Sequence, residues 1–374
     1  SITLLNMAAA SNFTYTGTGG FVVLSSSTTP TIAFGSTSGA SSTNAPNITF
    51  TGITQVITIT ATSSFNNFIL NTGCTYTLSG TINVYGSLTT VTGSVVTSLI
   101  VNLFGTGTVT GTGTNRISLL TINTSGTITF ASTFYCTGYT QTAGSVDFGN
   151  FTLQSSTSTI TYTAGTFTNM GIFVCTNWTQ SAGATFTLPT GATIQCTGTI
   201  TITSGSFTVN SGTITSNPSI TQTAGTVTIS TAVTTSGTYT FTSGTLNLGD
   251  NLSVGTFSSS NSNVRSIAFS TFNITLSTSA VGPVILSMAT ATNFTYTGTG
   301  GFVVSGSPTS LTTTPFTTPT IAFGSTSGAT SANAPNITFT GTTAATITTI
   351  TITTSAFNSS FNNFILNAGC TYTI

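Results

Sequence analysis

The fold is decided by the stretch Tyr-Thr-Gln-Thr-Ala-Gly at residues 139–144, which is one of six variants of the same pattern. Each variant has an apolar or aromatic residue, Thr, a variable residue, Thr or Ser, Ala or Ser, and Gly. A period near 20 residues with one glycine per copy is typical of a solenoid in which every copy forms one coil. The six variants begin at Tyr139, Ile160, Trp178, Ile200, Ile220 and Tyr239.

Apolar and polar residues alternate after these glycines, as in Phe-Thr-Val at 207–209 and Val-Thr-Ile at 227–229. A period of two predicts strands with one buried face, and Thr suits the outward positions. The sequence therefore predicts an all-β fold, a parallel β-solenoid (β-helix) with coils of about 20 residues. A series of Greek-key sandwiches is the alternative, because short strands separated by turns also suit that fold.

A longer repeat is superimposed on the coils. The twelve residues from Asn12 recur identically from Asn293, 281 positions later, and Phe-Asn-Asn-Phe-Ile-Leu-Asn at 65–71 recurs at 361–367. These matches predict units of about 280 residues. Because the chain begins and stops within repeat sequence, we expect a slice of a longer protein or a processed subunit. The predicted divisions are a first head at 1–78, solenoid coils at 79–283 and a second head at 284–374.

The composition excludes most chemistry. Thr, Ser and Gly, at 97, 50 and 39 residues, make up half of the 374, and the charged residues are Arg116, Arg265, Asp147 and Asp250. General acid–base catalysis needs tuned pairs of titratable groups, and phosphate backbones need a basic surface. We therefore expect no enzyme, no catalytic residues and no nucleic-acid partner. The polysaccharide enzymes built on right-handed β-helices are disfavoured too, because they set several carboxylates in one groove.

Membrane spans and disorder are also disfavoured. The longest nearly apolar stretch, at 95–104, is too short and too polar for a spanning helix. Hydrophobic residues make up 38% of the chain and aromatic residues 10%, more than a chain without a core carries. We expect an ordered protein with no membrane span.

The four charged residues have simple interpretations. Asp147 takes an outward strand position and Asp250 lies in a turn composition, so both are expected to be solvated carboxylates. Arg116 and Arg265 each follow Asn or Val and precede Ser or Ile in similar contexts. We favour bonds from each guanidinium to loop carbonyls, with contacts to a partner or glycan as the alternative.

The five cysteines show no Cys-x-x-Cys spacing and the chain has no His, so neither zinc nor another cofactor is expected. Cys175 and Cys196 fall on adjacent predicted coils, about 4.8 Å apart, which is within reach of a disulfide. The alternative is that they act as small hydrophobic residues in one ladder.

Asn-x-Ser/Thr sequons are as frequent as the composition predicts, and they are candidate N-glycosylation sites in a secreted protein. Covalent glycans on Thr are a further candidate. The sequons begin at Asn12, Asn47, Asn123, Asn150, Asn177, Asn251, Asn273, Asn293, Asn336 and Asn358.

Pairs of Thr two residues apart form a regular two-column grid. Flat Thr grids on β-solenoids resemble those of ice-binding proteins, whereas the plainer interpretation is that Thr is the polar strand residue this chain prefers. The face that the grid occupies is ambiguous from sequence, because the positions between the paired Thr vary from Gln to Ile to Phe. The pairs are Thr140/Thr142, Thr161/Thr163, Thr201/Thr203, Thr221/Thr223 and Thr240/Thr242.

The Gln-Thr-Ala-Gly coils, together with residues 257–269, resemble tandem-repeat, Thr/Ser/Gly-rich β-solenoid proteins of environmental phage and bacteria. The resemblance covers most of residues 70–300. It implies a fibre, adhesin or tail-associated role outside the cell or on a cell or virion surface. We expect a structural subunit of an extracellular filament whose copies join end to end as a homopolymer; an ice-binding or glycan-binding adhesin that uses the outward Thr is the alternative.

Overall fold

The structure is a computed structural model of the 374-residue chain. It describes residues 2–7, 19–23, 30–34, 45–51, 54–59, 62–71, 75–90, 95–111, 116–155, 158–181, 183–277, 284–288, 293–306, 320–323, 335–341, 347–349, 351–352, 361–366 and 371–373.

The described residues form 41 strands and no helix. The first group is β1 Ile2–Met7, β2 Gly20–Val23, β3 Pro30–Phe34, β4 Asn47–Phe50, β5 Thr54–Ile59, β6 Ser63–Phe65, β7 Phe68–Leu70, β8 Thr75–Val84, β9 Leu88–Thr90, β10 Val95–Leu103, β11 Gly107–Gly111, β12 Arg116–Phe130, β13 Phe134–Asp147 and β14 Leu153–Ser155. The second is β15 Thr159–Tyr162, β16 Thr166–Thr168, β17 Ile172–Cys175, β18 Asn177–Gln180, β19 Thr185–Leu188, β20 Thr193–Cys196, β21 Thr199–Ile202, β22 Ser206–Val209, β23 Thr213–Thr215, β24 Ser219–Gln222, β25 Thr226–Ile229, β26 Val233–Thr234, β27 Thr238–Phe241 and β28 Gly244–Leu248. The third is β29 Leu252–Val254, β30 Thr256–Ser258, β31 Arg265–Ser270, β32 Ile274–Leu276, β33 Val284–Met288, β34 Phe294–Gly298, β35 Gly301–Gly306, β36 Thr320–Phe323, β37 Asn336–Gly341, β38 Ile347–Thr349, β39 Thr351–Ile352, β40 Phe364–Leu366 and β41 Thr371–Thr373.

The strands stack in parallel, each on a strand about one coil earlier. In β22, β25 and β28 the residues Phe207, Val227 and Leu246 lie in register, and all three are buried. The Thr between the inward residues points outward: Thr208 of β22 and Thr228 of β25 are half-buried, whereas the residues on either side of each are buried. The predicted parallel β-solenoid with coils of about 20 residues is confirmed, and the sandwich alternative is wrong because its strands would pair antiparallel.

The chain divides into two compact units, one of residues 1–178 and 192–195 and the other of residues 179–191 and 196–374. In the first unit, Ile48, Phe68, Leu88 and Val109 form one buried column through β4, β7, β9 and β11. Aromatic rings fill the interior of later coils, with Phe130 stacked on Phe148 at a centroid distance of 4.8 Å. This interior is the continuous apolar core that the alternation predicts.

The second unit has the same construction. Its ladder of β19, β22, β25, β28, β31 and β34 is continuous. Phe186 stacks on Phe207 at 5.3 Å and Tyr239 on Phe257 at 5.5 Å. Each coil therefore covers the apolar surface of the coil before it.

The two heads share one strand arrangement, as the long repeat predicts. Gly-Phe-Val-Val of β2 pairs with β4, which pairs with Phe-Ile-Leu of β7, and β35, β37 and β40 repeat this order and register. An asparagine ladder recurs as well. Asn67 Nδ2 donates to Asn47 Oδ1 at 2.8 Å, and Asn363 Nδ2 donates to Asn336 Oδ1 at 2.8 Å.

Candidate functional site: threonine columns and buried coil turns

The paired threonines face outward, which the sequence left ambiguous. Gln141 and Gln222, which lie between paired Thr, are completely buried, whereas the flanking Thr are partly or fully exposed. In the first unit Thr140 is in register with Thr161. In the second unit one column runs through Thr201, Thr221 and Thr240.

A second column stands two residues further along each strand. In the second unit, Thr223 N donates to Ile202 O and Thr242 N donates to Gln222 O, both at 2.8 Å, so these Thr sit on successive coils. Adjacent parallel strands lie about 4.8 Å apart, so the hydroxyl and methyl groups repeat at that spacing. The geometry gives a regular array of hydroxyl and methyl groups on the outward side of these strands.

Buried glutamines tie neighbouring coils together, a role that sequence reasoning missed. Gln222 Nε2 donates to Gly225 O of its own turn at 3.0 Å and to Thr245 O of the next coil at 2.9 Å. Its Oε1 accepts a 2.7 Å hydrogen bond from Tyr239 Oη. In the first unit Gln141 makes the same kinds of contact with Gly144 O, Thr166 O and Tyr139 Oη. The available signal was the Gln-Thr-Ala-Gly motif with a tyrosine nearby.

The glycine that ends most of these motifs permits close coil contact, whereas beyond its chain neighbours no heavy atom lies within 4 Å of the position that a Cβ on Gly183 would occupy. Gly205, Gly225 and Gly244 have φ values of +87°, +79° and +94°. A Cβ on Gly225 would lie 2.4 Å from Gly205 O, and a Cβ on Gly244 would lie 2.1 Å from Gly225 O. Both the backbone conformation and the approach of the preceding coil therefore require glycine.

Arg265 is buried and bonds to a loop, as we favoured from sequence. Its Nε donates to Ser259 Oγ at 2.6 Å, NH1 to Asn263 O at 2.8 Å and NH2 to Ser259 O at 2.7 Å. The guanidinium carbon lies 5.7 Å from the centre of the Phe294 ring. Burial lowers its pKa to about 10. Arg116 begins β12, but its side chain lies outside the described residues.

The two carboxylates lie at strand ends and turns. Asp147 is the last residue of β13, and Asp250 lies between β28 and β29. Asp147 lies between the buried Val146 and Phe148, and its Oδ1 accepts bonds from Gly149 N at 2.9 Å and Asn169 Nδ2 at 3.0 Å. Asp250 Oδ1 accepts a 2.7 Å bond from Asn251 N. Within the described residues no group of three His, Cys, Asp or Glu side chains is arranged to hold a metal ion.

The cysteine prediction remains a prediction. Cys175 ends β17 in the first unit, Cys196 ends β20 in the second, and both side chains are buried. Cys136 is buried in β13, and Cys74 and Cys370 lie outside the described residues.

The sequons differ in exposure, and glycosylation remains a prediction. Exposed sequons can still be hydrogen-bonded, since Asn251 Oδ1 accepts from Asn273 N and Asn293 Nδ2 donates to Ser262 O, both at 2.9 Å. Asn47 and Asn336 donate to backbone carbonyls, Asn273 accepts from Gly301 N, and Asn177 is half-buried. Asn12 and Asn358 lie outside the described residues. The exposed sequons are Asn123, Asn150, Asn251 and Asn293.

The buried tyrosines should make the folded chain less stable at alkaline pH. Burial raises the pKa of Tyr139, Tyr162 and Tyr239. Above about pH 10 the unfolded chain releases phenolic protons that the folded chain retains, so the free energy of unfolding decreases by up to about 1.4 kcal/mol per pH unit for each such tyrosine. Arg265, whose pKa of about 10 lies below its usual value, opposes this trend, but burial also raises the pKa of Tyr85 and Tyr296, so it is one group against five.

We expect the free energy of unfolding to change little from about pH 5 to 8, because the chain has no His. Chemical denaturation at a series of pH values measures the dependence. Tyr239→Phe should reduce the slope above about pH 10. A steep fall in stability between about pH 5 and 8 would contradict the prediction.

Comparisons with known proteins leave the family open: no protein-family model, curated protein or solved structure matches the chain significantly. Within the described part of the chain there is no helix with the length and hydrophobicity needed to span a bilayer.

Proposed function

We propose that the chain is a structural subunit of an extracellular filament in which copies add end to end by stacking their coils. One observation carries this proposal. Successive coils stack in register and bury each other's apolar side chains, as in the ladder of Phe186, Phe207, Val227 and Leu246. A stack built from the same contact at every step can be extended by further coils of the same kind.

The terminal strands of such a stack, where they are not capped, are templates for another strand. The near absence of charge supports the proposal, because little electrostatic repulsion opposes association. The scarcity of titratable residues likewise supports a structural role and not an enzymatic one. The location, outside the cell or on a cell or virion surface, rests on the resemblance of the coil motifs.

Purified 374-residue protein should form fibres above a threshold concentration, seen by negative-stain microscopy and sedimentation. Aligned fibres should diffract at about 4.8 Å along their axis, because the strands run across it. High salt should leave the fibres intact, since four charged residues offer few ion pairs to screen. Dispersed particles at every concentration would contradict the proposal.

A second candidate function, an adhesin that binds ice or a glycan, is favoured by the outward Thr columns. The same purified protein can distinguish the two candidate functions. Protein that forms no fibres but is retained by ice crystals or by an insoluble crystalline polysaccharide would support the adhesin.

A further inference from the structure

A hydrogen bond that two buried glutamines make is missing at a third. Gln141 Oε1 and Gln222 Oε1 each accept from a tyrosine hydroxyl, at 3.0 Å and 2.7 Å. Gln180 is completely buried as well, but its Oε1 accepts no hydrogen bond from any described residue. A buried acceptor without a donor loses its bonds to water and gains nothing in exchange, so it destabilises the folded chain.

The amide nitrogen of Gln180 fixes the orientation of this side chain. Nε2 donates to Ala184 O of its own turn at 2.6 Å and to Ser206 O of the next coil at 2.9 Å. Turning the amide by 180° would set Oε1 against these two carbonyl oxygens, and neither of them is a donor. The stacked coils therefore hold Oε1 in the position where it has no bond.

Other residues hold the two places from which a tyrosine reaches a buried glutamine. One place lies two residues before the glutamine and is occupied here by Trp178. The other lies on the following coil, where Tyr239 stands three residues before the threonine whose N–H bonds to the backbone carbonyl of the glutamine. Thr203 N bonds to Gln180 O in the same way, at 3.0 Å, so the matching residue is Ile200, which carries no donor.

We propose that the solenoid opens most readily, among the coils of the second unit between residues 179 and 258, at the step from the coil of Gln180 to the coil of Ile200. When these coils separate, Oε1 reaches water and gains the hydrogen bonds that the folded chain denies it. Opening therefore costs less free energy there than at the matching step after Gln222. Stacked repeats depend on contacts between neighbours, so one weak step gives the solenoid a fixed place at which to yield. The inference concerns a single chain, so fibre formation or its failure does not affect it.

Hydrogen exchange at three matching amides measures this difference. Thr203 N bonds across the weak step, and the N–H groups of Thr223 and Thr242 bond across the next two steps at the same place in the coil, both at 2.8 Å. After correction for intrinsic rates, Thr203 should exchange at least about tenfold faster than either, which corresponds to about 1.4 kcal/mol. Equal or slower exchange at Thr203 would overturn the proposal.

A single hydroxyl group separates the missing bond from other differences in packing between coils. Ile200→Tyr supplies a phenol at the place that Tyr239 takes beside Gln222, and Ile200→Phe adds the same ring without a donor. Thr203 should exchange at least about tenfold more slowly in Ile200→Tyr than in Ile200→Phe, because only the tyrosine can donate to Gln180 Oε1. Equal rates in the two folded variants would contradict the proposal.

Removal of each glutamine gives a second test that adds no ring to the interior. Gln180→Leu removes the unsatisfied oxygen, whereas Gln222→Leu leaves the Tyr239 hydroxyl without its acceptor. Both variants lose the bonds from Nε2 to their own turn and to the next coil. The denaturation midpoint should therefore fall less than about half as far in Gln180→Leu as in Gln222→Leu. Equal falls would overturn the proposal even if the ring variants did not fold.

Discussion

Replacing Gly225 by alanine is expected to cost at least about 3 kcal/mol of stability, although it adds a single methyl group. Two causes act together. The φ of +79° is a conformation that costs an L-residue about 1–2 kcal/mol. The new Cβ would also lie 2.4 Å from Gly205 O and 2.6 Å from Gly205 N, which are backbone atoms that cannot rotate away. The coils at 205 and 225 must therefore separate.

Gly191 provides a matched control for the backbone term. Its φ is +80°, and beyond its chain neighbours no heavy atom lies within 4 Å of the position that a Cβ would occupy. Gly191→Ala should therefore cost only the conformational strain of about 1–2 kcal/mol. The difference between the two variants measures the steric contribution of coil stacking.

Chemical denaturation and amide hydrogen exchange measure these effects. Thr226 N bonds to Gly205 O at 2.8 Å, and Thr245 N bonds to Gly225 O at 2.9 Å. Exchange at Thr226 and Thr245 should accelerate in Gly225→Ala more than exchange at distant coils, because stability in stacked repeats depends on neighbouring contacts. If Gly225→Ala and Gly191→Ala lower the free energy of unfolding equally, close contact between the coils at 205 and 225 does not contribute to the cost.

Local features of the sequence were sufficient to predict the coils. The glycine period fixes where each coil turns, and the alternation at 207–209 and 227–229 fixes which residues face inward. Both signals are local, so they can be recognised in the sequence without knowing which coil packs against which. The parallel pairing then follows because identical motifs recur at nearly constant spacing.

Other features depend on groups that a distant part of the chain supplies. A buried glutamine at position 222 is acceptable only because Thr245 and Tyr239, one coil later, satisfy its amide. The sequence contexts of Arg116 and Arg265 favour bonds to loop carbonyls, but they could not show which loop encloses Arg265, which is the one from Ser259.

Replacing Gln222 by leucine should cost about 3–5 kcal/mol, even though apolar residues occupy the same register position in neighbouring coils. Ile202 and Phe241 pair with Gln222 on either side, so the interior tolerates an apolar side chain there. The loss of stability arises because buried polar groups lose their hydrogen-bond partners. Leucine removes the bonds to Gly225 O and Thr245 O and leaves the buried Tyr239 hydroxyl without its acceptor.

A double-mutant cycle separates this polar cost from packing. Tyr239→Phe alone leaves Gln222 Oε1 without its donor, but in the Gln222→Leu chain it removes the stranded hydroxyl. We therefore expect the double variant to be more stable than the sum of the single losses predicts, with a coupling of about 1–2 kcal/mol. Denaturation midpoints and slopes of the four proteins give the four free energies.

Ile202→Val is the control for a purely apolar change at the same register position, and it should cost about 0.5–1.5 kcal/mol with no coupling to Tyr239→Phe. Additive losses for Gln222→Leu and Tyr239→Phe would mean that the hydrogen bond between Tyr239 and Gln222 contributes nothing to stability. A coupling confined to position 222 would show that the Gln-Thr-Ala-Gly motif stabilises the solenoid by bonding one coil to the next. The motif would then specify both where a coil turns and which coil it joins.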